Sequence, residues 1–143
     1  MFIDFSTAFD SIDHHMLLTK MESKSEFSQE TLNLLKWYLS SIHLRLEENM
    51  IHQNRGSPQG GVASPFLWLI YINDLLVELE ELVGLDSTFA FADDLLLCCS
   101  SPIMALKVIR KIKAWCDKFK ITLNEKKSAV LPLALRKSKK DDF

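Results

Sequence analysis

Glycine and proline are scarce in this chain, four of each in 143 residues. That scarcity excludes a disordered, linker-like or fibrous composition. Long apolar runs are also missing. The longest, Phe66 to Ile72, falls far short of the roughly 18 residues that a membrane span needs. Cysteine is limited to Cys98, Cys99 and Cys116, an odd number without metal-ligand spacing. Reduced thiols in an intracellular protein are expected, not a disulfide framework. The opening Met-Phe-Ile-Asp-Phe-Ser has no basic start and no small-residue cleavage pattern, so no signal peptide is expected. With 48% hydrophobic and 25% charged residues, the chain reads as one globular domain with a real core.

The net charge of -2 hides an asymmetry. Residues 1–102 carry 5 Lys and Arg against 15 Asp and Glu, whereas residues 103–143 carry 12 against 4. The basic end suits a local phosphate-binding face, although a solvated lysine-rich helix has the same composition. Residues 1–133 are expected to fold, and the charged tail 134–143, with Asp141 and Asp142, to be disordered.

The spacing predicts an α+β domain with helices packed on one face of an antiparallel sheet. Met1 to Phe5 alternates as a strand. Asp13 to Met21 reads as a short helix, with Asp10 as its cap. Ser28 caps a helix to about Ile42 with Leu32, Leu35, Leu39 and Ile42 on one face. Residues 43–55 suit a hairpin. Gly56 to Gly61 is a loop, and Ser64-Pro65 caps a very apolar helix to about Leu82. Ser87 to Ser100 reads as strand, tight acidic turn and strand. Ser101-Pro102 opens a helix with Ile103, Leu106, Ile109, Ile112, Cys116 and Phe119 on its apolar face. Residues 121–124 and 128–133 are predicted as two strands around the turn 124–127. Trp37, Trp68 and Trp115 are expected in the core. The adjacent His14 and His15 diverge on a helix, and Cys98 and Cys99 point to opposite faces of a strand, so neither pair suits zinc.

Asp93-Asp94 lies between two apolar strands, and Asp4 ends a third. Carboxylates beside a core are costly unless paired or metal-bound, and three together would repel. A pair of divalent cations relieves that repulsion. Mg²⁺ prefers carboxylate oxygens and shares its shell with substrate phosphates. Two such ions about 4 Å apart promote phosphoryl transfer. A solvated hairpin turn is the plainer explanation of an isolated Asp-Asp.

These residues fall within a wider pattern. The chain resembles the palm domain of reverse transcriptases (RNA-directed DNA polymerases). Asp4-Phe5-Ser6-Thr7-Ala8-Phe9-Asp10 is similar to the family's first catalytic motif. Gly56-Ser57-Pro58-Gln59-Gly60, followed by Ser64-Pro65, resembles its Pro-Gln-Gly segment. Phe91-Ala92-Asp93-Asp94 resembles its aromatic-x-Asp-Asp hairpin. Leu123-Asn124 with Lys127-Ser128 is similar to the motif that follows. Tyr71-Ile72-Asn73-Asp74-Leu75 and Trp115-Cys116 look most like non-LTR retrotransposon enzymes, with group II intron enzymes next.

The resemblance implies roles. Asp4 and Asp93 would bind metal, with Asp94 a third carboxylate, and the cofactor would be two Mg²⁺ ions or Mn²⁺. The carbonyl of Phe5, in the same motif, would also reach a metal. Phe9 would face the sugar of the incoming nucleotide and exclude a 2′-OH. Gln59 would contact nucleotide or template, and Gly60 and Gly61 would let backbone approach a strand. Lys127, with Lys126 as rival, would place charge near departing pyrophosphate. The implied partners are an RNA template, a DNA primer and dNTPs, with no membrane. Fingers and thumb segments are expected from a longer product. Two further readings stand beside this one, an inactive retroelement remnant with at most an interaction role, and a two-metal phosphodiesterase.

Overall fold

The computed structural model describes residues 1–58 and 60–133. Gln59 and the expected tail 134–143 lie outside the described residues. Strand β1 (Phe2–Ser6) is followed by a 3-10 turn (Phe9–Ser11) and helices α1 (His14–Glu22) and α2 (Gln29–Ser40). A separate hairpin, β2 (His43–Leu46) and β3 (Asn49–His52), precedes the long helix α3 (Ser64–Val83). Strands β4 (Thr88–Phe91) and β5 (Asp94–Leu97), helix α4 (Pro102–Phe119) and strand β6 (Thr122–Leu123) complete the fold. The main sheet has the order β4-β5-β1-β6, with antiparallel neighbours throughout. The expected α+β class is what the chain adopts.

The two faces of this sheet differ because side chains alternate along a strand. Ile3, Phe5, Leu95 and Leu97 are buried on the helix side. Phe5 packs edge-on against Trp68 of α3 at 5.6 Å and Trp115 of α4 at 6.2 Å. The other face carries Asp4, Asp94, Leu96, Phe89 and Phe91, by the register Asp4↔Asp94, Phe89↔Leu96 and Phe91↔Asp94. The core is built on α3, whose Leu67, Trp68, Tyr71, Ile72, Leu75 and Leu79 are buried.

Several expectations need correction. Trp37 is 67% exposed. It stands about 200° around α2 from Leu35, away from the stripe of Leu32, Leu35 and Leu39. On α4 the buried stripe is Ala105, Val108, Ile112, Trp115, Cys116 and Phe119, while Ile103 and Leu106 are exposed. Steps of three from residue 103 drift by about 60° each, so that row reaches the interface only at Ile112. Asp13, not Asp10, caps α1, accepting the N–H of Met16 at 3.0 Å. Asp10 is taken up in the 3-10 turn. Ser64 is the first residue of α3 and Ala63 its cap, because the Ser64 hydroxyl donates to the Pro58 carbonyl at 2.8 Å. Strand β5 stops at Leu97, so Cys98 and Cys99 are not strand residues, and both line one cavity of about 310 Å³. Finally, residues 128–133 do not form the expected strand, and of them only Ala129 makes a bridge. Ala129 bridges Phe2, so β6 and Ala129 lie along the same edge of β1, separated by a turn.

Candidate active site

The centre of the sheet sets the acidic cluster. Asp4 is opposite Asp94, and opposed residues of an antiparallel pair have Cα atoms about 4.5–5.5 Å apart with side chains on one face. Asp4 is 8% exposed, Asp93 is half-buried and Asp94 is exposed. Asp93 stands in the two-residue turn between Phe91 and Asp94. That turn requires a positive φ at Ala92, +52°, which a side chain adopts only at a cost. The indole N–H of fully buried Trp68 donates to the Ala92 carbonyl at 2.9 Å and holds it there.

A second strained residue, Thr7 at φ +50°, ends β1. Its carbonyl accepts the Ser11 N–H at 3.0 Å and the Ser11 hydroxyl at 2.8 Å, which closes the 3-10 turn. The turn sets Phe9 beside Trp68, with ring centres 6.2 Å apart. The Gly56 loop is fastened to the same segment. Gly56 N–H donates to Ile12 at 2.7 Å and Ser57 N–H to Phe9 at 3.0 Å. His14 Nε2 lies 2.6 Å from the Gly56 carbonyl. Gly56 has φ +85°, and a Cβ there would stand 3.0 Å from the Asp10 carbonyl oxygen. Gly60 also has a positive φ but opens into free space.

Between these elements lies a cavity of about 540 Å³. Its walls are Thr7, Ala8, Phe9, Asp10, Pro58, Gly60, Gly61, Ser64, Pro65 and Asp93. Phe9, Gly60 and Asp93, far apart in sequence, therefore meet around one space. Asp4 and Asp94 stand on the sheet beside it rather than in its wall. The Phe5 ring is in the core, so only its backbone is available to a ligand. Lys127 is exposed on the turn that follows β6 and does not line the cavity.

Among the described residues, no three His, Cys, Asp or Glu side chains form a group ready to hold a metal ion. Mg²⁺ usually takes one or two carboxylates from the protein and completes its shell with water and substrate phosphates. The all-oxygen set of Asp4, Asp93 and Asp94 fits that kind of open site.

Three contributors escaped the sequence reading. Trp68 reads as core from its apolar surroundings, and only the turn above it reveals the indole donor. His14 is buried and fastens the glycine loop, with nothing in the spacing to signal it. Ser128, quoted above only as part of a motif, accepts the Asp4 N–H at 3.1 Å.

The family described as reverse transcriptase (RNA-dependent DNA polymerase) matches residues 1–139. The chain belongs to that family. It is 29% identical over 100 residues to a putative 115 kDa protein in type-1 retrotransposable element R1DM of Drosophila melanogaster, covering 67% of this chain and 9% of that protein. It is 25% identical over 146 residues to a retrovirus-related Pol polyprotein from type-1 retrotransposable element R2 of Popillia japonica, covering 92% of this chain and 20% of that protein. The resemblance to non-LTR retrotransposon proteins is thereby borne out. The chain spans a fifth or less of these relatives. No helix among the described residues is long and apolar enough to cross a membrane.

Proposed function

We propose that this chain is the catalytic palm of an RNA-directed DNA polymerase, joining dNTPs to a primer 3′-OH on an RNA template. The observation that carries the reading is the opposition of Asp4 and Asp94 beside a cavity walled by Asp93, Phe9 and Gly60. Asp4 and Asp93 would hold the divalent cations, with Asp94 adjoining. Once bound, two such ions supply charge for an attacking hydroxyl and a leaving oxygen.

The chain's own residues supply shape. Phe9 fills the cavity wall with an aromatic ring, and a ring at the sugar leaves little room for a 2′-OH. Gly60 exposes backbone N–H and C=O without a side chain to fend off a nucleic acid strand. Gly61 has a second reason to be small, since a Cβ would stand 2.9 Å from the Pro58 carbonyl oxygen and from Ser64 Oγ. Gln59, preceding Gly60 in sequence, would bring both a donor and an acceptor. Lys127 brings a positive charge to the sheet edge next to Asp4. The exposed Phe89, Phe91 and Leu96 give the open face an apolar surface on which bases can stack.

A chimera tests this reading. Residues 1–133 replace the matching segment of the R2 Pol polyprotein, and extension of a primer on an RNA template is followed. Extension is expected, with loss of about 10²–10³-fold for Asp93→Asn, since charge-stabilising groups carry effects of that order. A folded, template-binding chimera without extension would favour the inactive remnant. Cleavage of labelled RNA or DNA without dNTPs would favour the phosphodiesterase.

A further inference from the structure

After α4 the chain runs antiparallel along the free edge of β1, and its ladder breaks opposite Asp4. Leu123 pairs with Phe5, and the Asn124 N–H donates to the Asp4 carbonyl at 2.9 Å. In a regular strand the next carbonyl would accept the Asp4 N–H. Here residues 125–128 leave the sheet instead. Lys127 and Ser128 turn their N–H groups back on the Asn124 carbonyl, at 3.2 and 2.8 Å. Pairing resumes at Ala129, which exchanges two bonds with Phe2, at 2.8 and 2.9 Å. The excursion would leave the Asp4 N–H bare in a partly buried place, a costly omission. The Ser128 hydroxyl, at 3.1 Å, takes the missing carbonyl's part.

Both backbone polar groups of Asp4 are thus held by the two ends of one turn, and Lys126 and Lys127 lie between those ends. We propose that Ser128 is a positioning residue. Its hydroxyl locks the lysine turn to the backbone of Asp4, so that carboxylate and cation keep a fixed relation toward a nucleotide's phosphates. This rests on the roles proposed above for Asp4 and Lys127. Without the hydroxyl, the turn keeps its backbone bonds at Asn124 and Ala129 and the exposed 4.0 Å ion pair from Glu125 to Lys113 of α4, and loses its tie to the Asp4 N–H.

NMR of the 143-residue chain tests the lock with Ser128→Ala, Ser128→Val and Ser128→Thr. Two readouts need no metal, amide exchange at Asp4 and residual dipolar couplings of the Lys126 and Lys127 amides. In the Ala and Val variants, Asp4 exchange is expected to rise about tenfold, the factor that one lost hydrogen bond carries. The lysine couplings should change while those of α3 stay put, and Thr should restore both. A third readout adds Mn²⁺, whose broadening of the Lys127 amide, relative to Leu95, should fall by half or more in Ala and return in Thr. Unchanged Asp4 exchange or unchanged lysine couplings in a folded Ala variant would overturn the proposal. So would failure of Thr to restore them. If Mn²⁺ broadens neither Asp4 nor Asp93 in the parent chain, the metal reading falls, while the first two readouts still decide the lock.

Discussion

Replacing Trp68 with Phe isolates the support beneath the acidic turn. The side chain is fully buried, and its indole N–H reaches the Ala92 carbonyl at 2.9 Å. Leaving a half-buried carbonyl without its donor costs about 1–3 kcal/mol. Loss of the second ring leaves a void worth roughly 1–2 kcal/mol more. The expected loss is therefore about 2–5 kcal/mol, read from urea denaturation followed by circular dichroism. Trp115→Phe is the control. That residue is also buried, and its own indole bond, 3.3 Å to Asp74, lies away from the turn. Amide exchange separates the two variants. The Asp94 amide, paired with Phe91 across the turn, should lose protection in Trp68→Phe and keep it in Trp115→Phe. Adding Ala92→Gly to Trp68→Phe should recover about 1 kcal/mol, because glycine adopts the positive φ without strain. A loss under about 0.5 kcal/mol, with the Asp94 amide still protected, would refute the claim that Trp68 holds this turn.

Two glycines make a second comparison. Gly56→Ala should cost about 2 kcal/mol or more, as strain and a contact with Asp10 combine, whereas Gly60→Ala should cost about 1 kcal/mol from strain alone. Thermal melts would separate them. Lys20 reaches the Asp74 carboxylate at 2.5 Å and the Tyr71 carbonyl, with its ammonium 4.0 Å from the Phe119 ring centre and 5.5 Å from that of Trp115. Burial pulls its amine below the usual lysine range despite Asp74. Lys20→Met should therefore be near neutral in urea denaturation, while Asp74→Ala, which strands the charge, should cost about 1–2 kcal/mol after allowance for the half-exposed carboxylate. Burial also pushes the Cys116 thiol up to about 12, from 9.0 when exposed. Its contribution to stability is intact below pH 9 and is lost as pH rises from 9 toward 12. Urea midpoints at pH 8 and pH 10 should fall further for the parent than for Cys116→Ala. Lys20, whose lowered pKa acts in the opposite sense, is common to both proteins.

Local signals made much of the fold legible. The Ser28 cap, the Pro at the start of α3 and α4, and the strand–turn–strand of residues 88–97 all depend on neighbours a few residues apart. The structure matches them to within a residue or two, except that the second strand, expected to run to Ser100, stops at Leu97. Errors arose where the outcome depends on distant partners. Ile103 and Leu106 look like an interface until α3 settles which side of α4 is covered. Residues 128–133 read as a strand, but only Ala129 finds a partner, Phe2 of β1. The site follows the same rule. Asp4, Phe9, Gly60 and Asp93 could be picked out by motif. That Phe9, Gly60 and Asp93 meet around one cavity with Asp4 beside it depends on a register, Asp4 with Asp94, that no local pattern encodes. Trp68 and Ser128 were hidden for the related reason that each acts on a backbone group of a residue far along the chain.

Binding of Mn²⁺ to the chain itself, followed by electron paramagnetic resonance of the free ion, bears most directly on the carboxylate centre. The parent should take up Mn²⁺, Mg²⁺ should compete for it, and Asp4→Asn and Asp93→Asn should each weaken binding about tenfold or more, as expected when one of few charged ligands is lost. Lys127→Met should leave it unchanged. Equal Mn²⁺ uptake by the parent and by both folded Asn variants would contradict a metal centre built on Asp4 and Asp93.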